Sequence, residues 1–189
     1  MKKIYLSIFI VVLLISSCSN KEVMDENTDE ELSEELIVNF LKKIYTIDDP
    51  KDYEIEIETM FKDLSEGKDN FLGYDEFCSE NGLASVLGNR MHGMYREVAL
   101  AKNFTMSLHD LEYNITYRKD ADGSLLNQYK TIVYDYTATL LLEYEDGKTE
   151  LIEEEGGINV KFIEGEWKVD VFKLKVFNDI WTQHINNEG

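Results

Sequence analysis

Two thiols and three imidazoles carry most of the reactive chemistry in this sequence of 189 residues: Cys18 and Cys78, then His92, His109 and His184. A zinc-type site needs such ligands at short, repeated intervals, and these five are scattered along the chain without that spacing. Cys78 sits in Asp75-Glu76-Phe77-Cys78-Ser79-Glu80, an acidic setting that favours the thiol over the nucleophilic thiolate. The stretch Asp120-Ala121-Asp122-Gly123-Ser124 looks like a calcium loop at first sight. Its glycine comes too early, and Thr131 stands where the loop's closing glutamate belongs. There is no G-x-S-x-G, no phosphate-binding glycine loop and no cysteine pair. No catalytic residue, metal ligand or cofactor is therefore expected from motifs. The four aromatic side chains Tyr113, Tyr134, Tyr136 and Trp167 are the candidates for contact with a ligand, for reasons that depend on the elements carrying them.

Cys18 is the thiol with a context. It follows a short basic start, Lys2-Lys3, an apolar run from Ile4 to Ile15, and the small pair Ser16-Ser17. That is the layout of a secretory signal. The run is too short for a spanning helix, which needs about 20 apolar residues. The sequence Ile15-Ser16-Ser17-Cys18 resembles the bacterial lipoprotein signal. The resemblance implies cleavage before Cys18 and a lipid on its thiol, which would hold the protein at the outer face of a cell membrane. One acyl chain binds a bilayer only marginally and two or more bind it firmly. Residues 1–17 are thus expected to be a signal peptide and residues 18–28 a polar tether. Residues 29–189 are expected to form a single domain. With Cys18 lipidated, Cys78 has no partner for an intramolecular disulfide, so the domain must be held by its core. About 160 residues suffice for that, burying roughly 70% of the unfolded surface.

Charge narrows the partners. The chain has 19 basic and 38 acidic residues; without Lys2 and Lys3 the count is 17 against 38, a net of −21. Such a chain is a poor ligand for nucleic acid, where affinity rests on cations neutralising phosphates. It is also repelled by anionic headgroups, which leaves the lipid on Cys18 as the attachment to the bilayer. The scarcity of arginine beside many Ile, Asn and Lys residues points to a low-GC bacterium, and with it to a Gram-positive envelope.

Helices come first. Thr28, with Glu31 three residues on, reads as a capping box, and Leu32, Leu36, Ile37, Phe40, Leu41 and Ile44 share one helical face. A second helix is expected after Pro50, with Tyr53, Ile57, Met60, Phe61 and Leu64 inward and Gly67 ending it. Irregular helical segments follow to Lys102. After Asn103 the period becomes two. Phe104, Met106 and Leu108 alternate, then Leu111, Tyr113, Ile115 and Tyr117 take the other parity, which predicts a β-bulge near His109. Ile132, Tyr134, Tyr136, Ala138, Leu140 and Leu142 line one face of a long strand, with Asp135 on the other. Asp146-Gly147 predicts a tight hairpin. A third strand is expected to kink or bulge at Gly156-Gly157. In the last strand Trp167, Val169 and Val171 point inward before the parity shifts to Phe172 and Leu174. The tail is expected to be a short helix returning Ile180 and Trp181 to the body.

The expected class is α+β: helices packed on a strongly bent four-stranded antiparallel sheet. In helix order, strand length and turns this resembles the nuclear transport factor 2-like superfamily, the ketosteroid isomerase/SnoaL-type cone. The resemblance implies a pocket between the concave sheet and the helices, with Tyr113, Tyr134, Tyr136 and Trp167 on inward faces. It leaves three functions open. The first is an anchored domain that binds an envelope protein. The second is a pocket for a small apolar ligand. The third is an isomerase- or dehydratase-like enzyme, which would need an inward carboxylate. None is identified on the strand faces.

Overall fold

In the computed structural model, residues 26–124, 128–175 and Trp181 are described. The chain divides into two units, Met1–Glu30 and Glu31–Gly189; of the first, only the start of helix α1 is described, and the second is the domain considered below. Its helices are α1 (Glu26–Tyr45), α2 (Asp52–Ser65), α3 (Glu80–Leu83) and α4 (Met91–Lys102), with a π turn at Ala84–Gly88. Four strands follow: β1 (Phe104–Lys119), β2 (Thr131–Tyr144), β3 (Thr149–Ile163) and β4 (Glu166–Leu174). They form one antiparallel sheet in the order β1-β2-β3-β4. The α+β class, helices on a curved, open sheet, is as expected.

Helix α1 begins two residues ahead of Thr28, which lies inside its first turn and not at its cap. Ile37, Phe40, Leu41, Ile44 and Tyr45 are fully buried, while Leu32, expected on the same face, is exposed. The inward row of β2 is buried from Ile132 through Leu142. Phe40 of α1 meets Phe172 of β4 edge-on at 5.3 Å, so the first helix lies against the inner face of the sheet.

The bends have identifiable causes. In β1 the register slips between Leu108 and Asp110, leaving His109 as the bulge, and again between Ile115 and Tyr117 at Thr116. The first was predicted from parity and the second was not. In β4 the slip falls between Asn159 and Val160 of its partner, opposite Asp170. Parity therefore shifts at Asp170, one step earlier than expected, and Val171 is only half-buried. No bulge forms at Gly156-Gly157: both residues pair in register with Tyr136 and Asp135. Gly156 serves a different purpose. The ring and hydroxyl of Tyr136 occupy the space that a Cβ there would need.

Helix α2 follows its amphipathic reading only in part: Tyr53, Ile57 and Met60 are half-buried. It has no fully buried residue, and Phe61 and Leu64, expected inward, are exposed at 63% and 50%. Polar contacts from Tyr53 and Glu56 add to this partial burial. Among the described residues no helix is long and apolar enough to cross a membrane.

Candidate functional site

The inner face of the sheet is the place where a cone-shaped fold could keep a site. Tyr134 and Tyr136 point there, as predicted, but both are buried in packing. Tyr134 shares a hydrogen bond of 2.6 Å with Ser33 of α1. Tyr136 shares one of 2.8 Å with Tyr45, and its ring stacks on Phe172. Trp167 is also buried, and its ring packs edge-on against Phe162 at 5.5 Å. Tyr113 shares that face, directly opposite Tyr136, but it is not enclosed. It lies 36% exposed on the sheet's outermost strand, with its hydroxyl 3.4 Å from Glu34 and its ring edge-on to Tyr134 at 6.0 Å. Tyr113 and Tyr136 border one open pocket of about 390 Å³, whose lining does not include Tyr134 or Trp167.

The inward carboxylate is Glu154. It stands opposite Ala138 on β3 and is 1% exposed. Parity could have found it, because Ile152, Glu154, Gly156, Ile158 and Val160 are buried in alternation. The run Glu153-Glu154-Glu155 and the kink expected after it hid the alternation. Glu154 accepts a hydrogen bond from Nε1 of Trp181, which is fully buried. Trp181 meets Tyr95 of α4 edge-on at 4.8 Å and Phe104 of β1 at 6.4 Å. Tyr45 in turn lies edge-on to Tyr95 at 5.3 Å. Burial, reinforced by neighbouring groups that include Glu154, holds the phenols of Tyr45, Tyr95 and Tyr136 well above their usual pKa. They remain O–H donors at any physiological pH. Trp181 thus returns to the body as predicted, and Ile180 and His184 lie outside the described residues.

A second polar assembly joins the helices. Tyr74 Oη is 2.7 Å from Nδ1 of His92, and Nε2 of His92 is 3.1 Å from Glu56 Oε2. An ionised carboxylate can only accept, so Nε2 carries the proton and Nδ1 accepts from Tyr74. Arg96 lies 3.5 Å from the same carboxylate oxygen. It also donates to the carbonyls of Lys43 and Thr46 at the end of α1, where a cation suits the helix dipole. The order hydroxyl, imidazole, carboxylate is that of a nucleophile with its base and orienting group. Here the hydroxyl is sealed in: Tyr74 is 0% exposed and His92 4%. Burial raises the Tyr74 phenol far above its ordinary value and lowers His92. The assembly fastens α2 to α4 and keeps the hydroxyl and the imidazole away from solvent, with the Glu56 carboxylate half-buried at its edge.

An open cleft of about 650 Å³ lies beside β4, lined by Cys78, Ser79, Lys161, Lys168 and Asp170 among others. Several of its polar groups are engaged. Asp170 takes Lys161 at 2.7 Å and the Ser79 hydroxyl at 2.9 Å. Lys168 donates to the carbonyl of Glu76 at 2.8 Å. Cys78 is buried against Val169, and burial pushes its thiol up to about 12; the acidic neighbourhood read from the sequence is a lesser cause. His109 is exposed at its bulge. Among the described residues no group of three or more His, Cys, Asp or Glu side chains is arranged to hold a metal ion.

No protein-family model and no curated protein matches the chain. Among solved structures it is similar to a periplasmic fragment of TraM, with a TM-score of 0.52 and 9% identity over 80% of this chain and 98% of that one. It is more distantly similar to the intermembrane space region of the chloroplast protein ARC6, with a TM-score of 0.30 and 12% identity over 56% of this chain and 77% of that one. The first likeness is one of fold; the second is too distant to argue from.

Proposed function

We propose that this protein is a lipid-anchored, extracytoplasmic lipoprotein whose nuclear transport factor 2-like domain binds an envelope protein without catalysing a reaction. The observation that carries the reading is the close packing of the inner face among the described residues. The one carboxylate identified on the inner face, Glu154, is 1% exposed and covered by Trp181. An isomerase-like enzyme needs its base within reach of the proton it abstracts, and a pocket for an apolar ligand needs a mostly apolar lining, whereas the cleft beside β4 is lined largely by polar and charged residues. The inward tyrosines are packed against α1 instead. A domain whose inner face is closely packed meets its partners through its outer surface. The fold shared with a periplasmic fragment of TraM supports a place outside the cytoplasm, and Cys18 behind its apolar run supports a lipid anchor on the membrane.

The test is acyl labelling combined with surface proteolysis. Cells expressing the full chain are fed a clickable fatty acid, and intact cells or spheroplasts are then treated with protease. The wild type should be labelled and shaved from the outside, and Cys18→Ala should be unlabelled and lost from the membrane fraction. A labelled, membrane-bound Cys18→Ala protein, or a wild type shielded inside intact spheroplasts, would overturn the reading. Native mass spectrometry of the purified domain separates the two binding functions: a co-purifying small molecule of fixed mass would replace the partner-binding reading with that of a pocket protein.

A further inference from the structure

Glu154 is an expensive residue to place inside this sheet. Moving an ionised carboxylate out of water is unfavourable unless hydrogen bonds replace its hydration. A leucine at the same position would extend the apolar row of Ile152, Ile158 and Val160 on β3 without that desolvation. The carboxylate is instead met by a planar N–H donor that arrives from 27 positions further along the chain. The ring carrying that donor is gripped on its other sides by aromatic neighbours. Tyr95 stands nearly perpendicular to it, at 86°, and Phe104 is tilted by 51°. Edge-to-face contacts of this kind suit an aromatic ring better than an aliphatic chain. An acceptor at the end of a slot with aromatic walls recognises a flat heterocycle that donates one hydrogen bond in its own plane.

We propose that Glu154, Tyr95 and Phe104 form a built binding site for a planar aromatic N–H donor of the indole class, and that Trp181 is its occupant in cis. Being part of the same chain, the indole is supplied at a high effective concentration, so the wild-type site is filled. Emptied, the slot keeps its acceptor and its walls. This inference goes beyond the partner-binding reading and does not depend on the lipid anchor or on the identity of the partner.

The test vacates the slot in the full chain with Trp181→Gly and probes it with free indole and with benzofuran, a ring of similar shape that has no N–H. Thermal melts and isothermal titration give the stability and the affinity. Trp181→Gly should melt below wild type, and indole should raise the melting temperature in a saturable manner. Benzofuran should bind at least about ten-fold more weakly, because a buried acceptor left without its donor loses about one tenfold step in affinity. In the double variant with Glu154→Gln that preference should shrink. Equal affinity for the two rings, or a folded Trp181→Gly protein that binds neither, would overturn the proposal. If Trp181→Gly does not fold, the wild type still decides. Its Trp181 indole N–H, distinguished from Trp167 by Trp167→Phe, should exchange with deuterium far more slowly than in free tryptophan and faster in Glu154→Gln. Unchanged exchange in Glu154→Gln would count against a carboxylate-based site.

Discussion

Nε2 of His92 lies 3.1 Å from Oε2 of Glu56, and this pair spans the join between α4 and α2. Helix α2 buries no side chain completely, so polar contacts of this kind add to its attachment, together with the Tyr53 hydroxyl, which donates to Glu97 at 3.1 Å.

The join should respond to acid. Glu56 and Tyr74 face His92 directly, with Arg96 and Lys43 adding positive charge nearby. Burial is the main cause that lowers the His92 pKa, and the hydrogen bond to Glu56 opposes it. The unfolded chain therefore binds more protons than the folded one between that lowered value and the unfolded value of about 6.5. The stability due to neutral His92 is complete above about 6.5 and falls away as pH drops through that window. Glu56 is lowered chiefly by its hydrogen bond from His92. Its contribution is complete above the ordinary carboxylate range and is lost as pH falls through the depressed folded value. Urea midpoints of the wild type should drop between about pH 7.5 and 5.5, and His92→Gln should flatten that slope. Parallel slopes in the two proteins would show that His92 is not the titrating group.

Cys78 offers a probe of local opening. Burial raises its thiol to about 12, and its neighbours on either side, Phe77 and Ser79, hydrogen-bond to the backbone of Val169 at 2.8 and 2.9 Å. Iodoacetamide at neutral pH should leave Cys78 unmodified in the native domain and modify it fully in urea. Mass spectrometry reads the difference. Rapid native modification would mean that the Phe77–Ser79 segment leaves the β4 edge easily.

Strand parity made much of the sheet legible in advance. Alternating burial needs only a period of two, and the row from Ile132 to Leu142 obeys it throughout. What parity could not reveal were the places where one extra residue enters a strand. Thr116 and Asp170 fill bulge positions, and neither residue type announces one. Helix α2 was misjudged at Phe61 and Leu64 because an apolar stripe states only that burial is favourable. Whether a neighbour exists to bury Phe61 depends on tertiary packing. Glu154 was missed because charged residues are almost never fully buried unless paired. Its partner, Trp181, comes from the far end of the chain.

The long strand gives a direct comparison of its two faces. Leu140 is fully buried and faces the helices, and the adjacent Thr139 lies on the opposite face, paired with Glu153. Leu140→Ala should destabilise by about 2–5 kcal/mol, the range for truncating a buried leucine. Thr139→Ala should change stability by about 1 kcal/mol or less. Urea melts of the two variants measure both. Equal losses would mean that both faces of β2 are sealed.

The two adjacent glycines of β3 should respond in opposite senses to the same added methyl group. At Gly156 a Cβ would meet the ring and hydroxyl of Tyr136, a side chain fixed by its hydrogen bond to Tyr45 and its stacking on Phe172. The ring cannot swing away without breaking both, so Gly156→Ala should cost about 1–3 kcal/mol, as overpacking usually does. At Gly157, one residue on, the nearest atoms are Asp135 Oδ1 and the Tyr134 carbonyl oxygen at 3.6 Å, an ordinary contact distance. Its backbone is paired in register in the strand. Gly157→Ala should therefore be neutral or stabilising by up to about 1 kcal/mol, through the lower entropy of the unfolded chain. Combining Gly156→Ala with Tyr136→Phe tests the mechanism further. Removing the hydroxyl leaves the ring in place, so the penalty should persist, whereas Tyr136→Leu should relieve part of it. A penalty at Gly156 that is the same with tyrosine or leucine at 136 would place its cause in the strand backbone and not in the aromatic ring laid across it.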